Sequence, residues 1–541
     1  MLILGVNAGH DGAIAVVSDR KLLFSIEAEK DSFARHARIH PEAAIALAEN
    51  LGEPPDVIAL GGWGKSAAQK HGSMVPIGAG YEGGYRSHNT QFFGRPGIFL
   101  TSSHERSHIA MAVGMAPRND SHLHAVLVWE GYIGTFYLLD ERWEVRRRIP
   151  VMRWAGHRYA FLYSLADPTF PDDSWFPRDE DAGKLMALAA YGDADDAEPA
   201  IVDTVEDIIN APTMSPVPKA ELRDSPIYNA GVEAEQTKVA AALLTRRLFD
   251  IFAEAAQRHL PEGIPLYISG GCGLNCDWNV MWRDLGHFSS VFVPPCTNDS
   301  GSALGTAIDA LMVLTGEPHI DWDVYSGLEF DWNGEPDPSR WQRRGLDLGL
   351  LADALGQGQL VAWVQGRWEI GPRALGARSL LAEPFDSRTR DRLNEVKQRE
   401  GYRPVAPCCR LEDAGKLFTD DSEDPYMLYF RNVRSDELGA VTHVDGTART
   451  QTVTKQTNER LYDLLSAFAE RSGVGILCNT SLNFKGTGFI NRMSDLVTYC
   501  EARGVPEIVV GDAWFSDTAH TETEPPRQSR FARPTPVTLR T

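Results

Sequence analysis

The residues best suited to chemistry lie at positions 101–111, T-S-S-H-E-R-S-H-I-A-M. Thr101, Ser102 and Ser103 are hydroxyl residues ahead of a helix-compatible run, and one of them is expected as its N-cap. If the helix opens at His104, then His104 and His108 lie four residues apart and project from one face. Two imidazoles at that spacing can hold one divalent metal ion. Two carboxylates follow at what read as strand ends: Glu130 after the apolar run 124–129, and Asp299 after Val291-Phe-Val-Pro-Pro. Together these four side chains could form one ligand set. The same segment also spells H-E-x-x-H, in which Glu105 would be the general base of a zinc peptidase. Histidines so spaced occur on ordinary helix surfaces as well, so the motif alone leaves all three readings open.

The elements that must position these residues belong to a long chain. At 541 residues it exceeds what one hydrophobic core supports, and two or three domains are expected. Apolar content of 43% and 23% charged residues are ordinary globular values. A formal net charge of −21 excludes a general nucleic-acid binder but leaves room for a local cationic pocket. The seven cysteines form an odd set without C-x-x-C pairs, which predicts a reducing compartment and no disulfide framework. Cys272 and Cys276 read as packing residues. No charged-then-apolar leader and no long apolar span is visible, so a cytoplasmic protein without a membrane partner is expected.

Residues 1–6, 13–17 and 22–26 read as strands, with N-A-G-H-D-G (7–12) between the first two. Strand, glycine turn, strand is how actin-like nucleotide-binding domains open, and Gly9 and Gly12 would let backbone amides approach a phosphate. A helix at 41–51 and a strand at 57–60 follow. Residues 63–98 lack a period and read as a long loop. The basic run Arg146–Arg148 reads as a solvated face, 154–170 as a core helix, 180–192 as a helix ending in glycine, and 193–230 as a polar excursion. A long amphipathic helix is expected at 233–259. The strand 264–268 then runs into S-G-G-C-G-L-N (269–275), a second nucleotide-contacting signature that singles out Gly271 and Asn275.

Composition shifts at 316–344, where a domain boundary is placed. After a helix at 350–355 and a strand at 360–364 comes G-R-W-E-I-G-P-R-A-L-G-A-R-S (366–379). Arg367, Arg373 and Arg378 interleave with Gly366, Gly371 and Gly376, a pattern that predicts a rigid anion cradle. Further cations and donors follow: Lys397 on a helix at 388–400, Arg403, Arg449, and then Asn479, Ser481 and Lys485 after the strand 475–478. Beyond 519 the tail is rich in Pro, Arg and Thr, which predicts poor order.

Taken in order, these blocks resemble the NodU/CmcH type of carbamoyltransferase. The stretches that carry the resemblance are G-H-D-G-A (9–13), H-E-R-S-H (104–108), E-D-A-G-K-L-M-A-L-A-A-Y-G (180–192) and G-G-C-G-L-N-C (270–276). They continue with P-P-C-T-N-D-S-G-S-A-L-G (294–305), the 366–379 block, K-Q-R-E-G-Y-R-P-V-A-P (397–407), T-H-V-D-G-T-A-R-T-Q-T-V (442–453) and C-N-T-S-L-N-F-K-G (478–486). They span nearly the whole chain, and G-P-R-A-L-G-A-R-S is highly specific.

The resemblance implies an α/β enzyme with an α+β second domain. An N-terminal actin-like, metal-bearing domain at 1–345 would be similar to the tRNA threonylcarbamoyl transferase. A C-terminal YrdC-like domain at 346–519 and a flexible tail at 520–541 would follow. It also implies that carbamoyl phosphate and ATP, with Mg, form carbamoyl adenylate in the second domain, whose carbamoyl group then passes to an acceptor hydroxyl. Arg373 and Lys397 would serve that chemistry, with Arg378, Arg403, Arg449, Asn479, Ser481 and Lys485 binding the anions, since so many negative oxygens need guanidinium forks. By the same carry-over Gly271 and Asn275 contact nucleotide and His10 is the general base. His104, His108, Glu130 and Asp299 hold an iron(II)-like ion, a set that also suits zinc or manganese. Glu130 departs from the aspartate that the family usually carries there, and Trp129 beside it is atypical. In this the chain resembles the subgroup acting on hydroxymethylcephems. The expected partner is a small hydroxylated acceptor; monomer and homodimer both stay open. An actin-fold small-molecule kinase is the alternative, and the zinc peptidase a lesser one.

Overall fold

The first strand is buried almost throughout. In the computed structural model, which describes residues 1–39, 41–62, 79–92, 94–174, 176–178, 180–211 and 218–521, the apolar opening forms β1 (Leu2–Asn7). It pairs antiparallel with β2 (Ala13–Ser18) and parallel with β4 (Val57–Gly61). With β3 (Lys21–Glu27), β5 (Tyr85–Phe92) and β6 (Arg95–Ser102) they make a six-stranded sheet in the order β3-β2-β1-β4-β6-β5. A second sheet runs β11-β10-β7-β8-β9, with β7 (Leu123–Trp129), β8 (Gly134–Asp140), β9 (Val145–Pro150), β10 (Leu266–Ser269) and β11 (Val291–Phe292).

Two expectations are corrected here. Part of the 63–98 segment is not loop, because β5 and β6 form an antiparallel hairpin. β5 reads Y-R-S-H-N-T-Q-F and is exposed along most of its length at the sheet edge, so it carries no apolar alternation to signal a strand. Residues 63–78 lie outside the described residues. The 193–230 excursion contains a helix, Pro199–Asn210, that buries Ile201, Val205, Ile208 and Ile209, with Pro199 in its first turn. Its apolar spacing was masked by the polar and proline-rich residues around it.

Contacts divide the chain into two compact units that are not collinear with the sequence. The first holds residues 1–9, 13–23 and 45–322; the second holds 10–12, 24–44 and 323–541. The N-terminal excursion is fixed within the second unit by buried polar contacts. Lys30 Nζ donates to Gly371 O at 2.6 Å, Gly371 N donates to Glu27 Oε1 at 2.7 Å, and Arg492 pairs with Asp31.

The second unit is built on an eight-stranded sheet. β13 (Val361–Val364) is central, parallel to β20 (Glu507–Val510) and antiparallel to β14 (Arg378–Ala382). Its four residues are all buried, and they alternate between two cores as a strand must. Val361 and Trp363 pack with Leu461, Leu464, Leu465 and Phe468 of the helix Glu459–Ser472. Ala362 and Val364 pack with Met493 and Leu496 of the helix Met493–Arg503. Each such fully buried apolar side chain contributes about 1.5–3 kcal/mol. The expected 388–400 helix spans Ser387–Val396, so that Lys397 stands at its C-cap. The tail beyond 521 lies outside the described residues. Among the described residues no helix is long and apolar enough to cross a membrane.

Candidate active site

After β6 ends at Ser102 a helix opens at His104 because Ser103 caps it, its Oγ accepting from Arg106 N at 3.3 Å. That helix, His104–Met115, is buried almost throughout, which excludes the surface-histidine reading. It lies against the helix Ser302–Thr315 at very close range: a Cβ on Gly305 would stand 2.0 Å from Ser107 O. Asp299 sits in the turn that opens this second helix. Glu130 ends β7, and Gly270, at the end of β10, has φ +104° and would place a Cβ 2.3 Å from Trp129 O. Two glycines thus let two helices and two strand ends converge. Trp129 is a core residue, its ring 4.2 Å from that of Trp278 and 4.5 Å from that of Phe252.

Four buried donor atoms meet at this point. His104 Nε2 lies 3.0 Å from Glu130 Oε2, and His108 Nε2 lies 3.2 Å from both His104 Nε2 and Asp299 Oδ1. The two remaining imidazole–carboxylate separations are 3.5 Å. Ligand atoms around a tetrahedral ion bound at about 2.0–2.1 Å stand about 3.3–3.4 Å apart. Two imidazoles and two carboxylates therefore fit a divalent cation in both spacing and chemistry. His108 Nδ1 is 2.8 Å from Ser269 Oγ, which turns its Nε2 toward the other donors. Without a cation the carboxylates are balanced by the rings. Burial would lower the His108 pKa, but Asp299 and Glu130 hold it up at about 9. Burial would raise that of Glu130, but the two histidines, His104 foremost, keep it well below the usual carboxylate range. Tyr81, whose hydroxyl donates to Glu130 Oε1, stays a phenol: burial, then Glu130 and Asp299, hold its pKa well above the usual value.

Glu105 points elsewhere. Its Oε1 accepts from Tyr137 and pairs with Arg148 Nε at 3.0 Å, and its Oε2 accepts from Gly83 N at 3.1 Å. It is a buried anchor rather than a general base beside the histidines, and Arg148, which also pairs with Glu82, is not a purely solvated residue. Glu105→Gln is expected to cost about 1–3 kcal/mol of stability, read in thermal unfolding, and to leave catalysis within about threefold.

The other glycine loop of the first unit has a local explanation. Asn275 is an N-cap, its Oδ1 accepting from Asp277 N at 3.0 Å and Trp278 N at 3.3 Å, and Gly271 has open space where a Cβ would stand. His10 belongs to the second unit, half-buried with its ring 4.7 Å from that of His36, whose Nδ1 is 2.8 Å from Asp11 Oδ1.

In the second unit the structure redistributes the expected cradle. Backbone N–H groups of Leu375, Ala377 and Arg378 converge on the buried Glu369 Oε1, at 2.7, 2.7 and 3.1 Å. Arg367 donates to the carbonyls of Gly327 and Ser326. Arg378 is fully buried, donating to Asn491 Oδ1 and to the carbonyls of Gln365 and Ala377, and burial pulls its pKa below the ordinary arginine range. Both guanidinium groups are thus engaged by the protein itself; Arg373 is half-buried in the same loop.

Cations gather instead around 397–403. Lys397 Nζ donates to Ser481 and Asn483. Burial pushes its pKa well down, and Arg399, Arg35, Arg403 and Arg503 push it further. Arg399 is lowered too, by burial and then by Arg403 and Arg449. Half-buried cations that repel one another make this a candidate anion site. Arg399 and Arg35 were missed as candidates. R-E-G-Y-R gave a signal for Arg399, but Arg35 is remote in sequence. Asn479 is buried, donating to Gln451 Oε1 and Ala374 O; Lys485 is exposed.

Sequence matches to known proteins cover most of the chain. The family models described as Carbamoyltransferase N-terminus and Carbamoyltransferase C-terminus match residues 90–308 and 352–517. The chain belongs to the carbamoyltransferase family and is a transferase, as its motifs led one to expect. It is 61% identical to the 3'-hydroxymethylcephem-O-carbamoyltransferase of Streptomyces clavuligerus over 518 residues, 95% of this chain and 99% of that protein. The protein of the same name from Amycolatopsis lactamdurans is also 61% identical, over the same shares. Nodulation protein U of Sinorhizobium fredii is 33% identical, covering 90% of this chain and 95% of its own. These relatives do not favour the kinase alternative.

Proposed function

We propose that this enzyme carbamoylates the hydroxymethyl group of a 3'-hydroxymethylcephem by way of carbamoyl adenylate. The names of the two relatives at 61% identity support the acceptor. The convergence of His104, His108, Glu130 and Asp299 is the observation that carries the transfer chemistry. In this reading residues 1–345 form an actin-like transfer domain and 346–519 a YrdC-like activating domain. In the second, water cleaves carbamoyl phosphate to carbamate and inorganic phosphate, and a carbamate oxygen then attacks the α-phosphorus of Mg-ATP to form carbamoyl adenylate as pyrophosphate leaves. Arg403, Arg449 and Arg399 bind these anions, while Lys397 holds the Ser481–Asn483 loop in place beside them.

In the transfer step the acceptor oxygen attacks the carbamoyl carbon and AMP leaves, with His10 taking the hydroxyl proton. In this reading Gly271 and Asn275 contact the adenylate. A divalent ion bound by His104, His108, Glu130 and Asp299 supplies Lewis acidity for the carbamoyl oxygen or the phosphate; iron(II), zinc and manganese all suit the donor set. A reducing cytoplasm suits the seven buried free cysteines.

The test is incubation with carbamoyl phosphate, ATP, iron(II) and 3'-hydroxymethylcephem, read by mass spectrometry and nucleotide chromatography. A carbamoyl mass shift with release of AMP and pyrophosphate is expected. An unmodified acceptor with ADP as product would refute the reading.

A further inference from the structure

We infer that Tyr81 is a positioning residue that restricts Glu130 to a single-oxygen role in the cation site, so that a glutamate can stand at the end of β7. The inference rests on the reading of His104, His108, Glu130 and Asp299 as metal ligands and goes beyond it.

A glutamate has one more rotatable bond than an aspartate. Left alone, its carboxylate could turn both oxygens to a cation, or swing away. In this protein the two oxygens face different partners. Glu130 Oε2 faces the histidines, 3.0 Å from His104 Nε2 and 3.5 Å from His108 Nε2. Oε1 faces away from them, accepting the Tyr81 hydroxyl and the backbone N–H of Ile133 at 3.3 Å. An oxygen that already accepts two hydrogen bonds is a poorer second ligand, and the carboxylate plane is fixed by them.

Tyr81 is itself held by the element that carries the histidines. His104 N donates to Gly80 O and Glu105 N donates to Tyr81 O, both at 2.9 Å, so residues 80 and 81 satisfy two amides at the start of that helix. The Tyr81 ring packs on His104 at 4.6 Å and edge-on to Tyr132 at 4.9 Å. The phenol is therefore placed by helix, ring stack and strand end together. Phenylalanine would keep the packing and remove only the hydroxyl.

The experiment is a double-mutant cycle on the full chain, with Mn(II) affinity measured by competition against a chelator and the visible spectrum recorded with Co(II). Tyr81→Phe is expected to weaken Mn(II) binding about 10–100-fold, the range found when a group supporting a metal ligand is removed. It should also weaken the Co(II) d–d bands as the freed Oε1 raises the coordination number. In the Glu130→Asp background the shorter carboxylate is out of the phenol's reach, so adding Tyr81→Phe should change affinity by less than about twofold. Equal losses in both backgrounds, or an unaltered affinity and spectrum in Tyr81→Phe, would overturn the inference. Thermal unfolding of the metal-free variants checks the fold. If Tyr81→Phe does not fold, Glu130→Asp alone decides: weakened Co(II) bands support the role, and bands identical to wild type defeat it. A wild-type protein that binds neither Mn(II) nor Co(II) would defeat the metal reading and this inference with it. Wild-type binding with an indifferent Tyr81→Phe defeats only the latter.

Discussion

His104→Ala is expected to lower carbamoyl transfer by at least about a thousandfold, because a ligand set of this kind supplies several kcal/mol of charge stabilisation in the reacting complex. The same variant should keep carbamoyl-phosphate-dependent ATP–pyrophosphate exchange, since no residue of the cation cluster belongs to the second unit. The two assays on one preparation separate a lost centre from a lost fold. His104 is fully buried with its Nε2 beside Glu130 and Asp299, so removing it leaves His108 as the one imidazole facing the two buried carboxylates. Some loss of stability accompanies the change, and circular dichroism must show a folded protein before the rates are compared. Transfer within tenfold of wild type would remove His104 from the mechanism.

Arg403→Ala should act on the opposite half-reaction. Exchange is expected to fall about 100–1,000-fold, the usual consequence of removing a preorganised donor aimed at developing charge. Transfer from externally supplied carbamoyl adenylate should stay near wild type. Arg403 is a better probe than Arg378, whose guanidinium is committed to Asn491 and two carbonyls and whose loss would be felt first as instability. Arg403 is half-buried, with Glu400 at 3.8 Å as its ion-pair partner. Its charge also depresses the pKa values of Lys397 and Arg399, so its removal should let both rise toward their ordinary ranges. Unchanged exchange would take Arg403 out of the anion site.

The convergence of His104, His108, Glu130 and Asp299 was largely legible in the sequence because these residues come in locally readable forms. The four-residue spacing of His104 and His108 needs only a helix, and Glu130 and Asp299 both close apolar strand-like runs. The role of Glu105 was not legible, since its partners Gly83, Tyr137 and Arg148 are brought to it only by the fold. The arginine-rich loop of the second unit was legible as a glycine-flanked turn, but not in its hydrogen bonding. Glycines and arginines alternating over 366–379 are what an anion cradle needs, but the sequence could not show that Glu369 would fill it. Nor could spacing reveal that residues 10–12 and 24–44 would join a unit otherwise made of residues some three hundred positions later. The β5 hairpin escaped notice for a simpler reason: a polar edge strand has no buried face to imprint a period.

Glu369 gives the second unit a property of its own. Three amides of the loop that leads into β14 already have an anionic acceptor within the same chain. The loop is therefore ordered on folding, and any ligand that met it would not have to bear the entropy of ordering it. The converse is a vulnerability. Any change that shortens or neutralises this internal anion would unlock a glycine-rich segment, and the penalty would surface as lost order in the loop rather than as one missing contact.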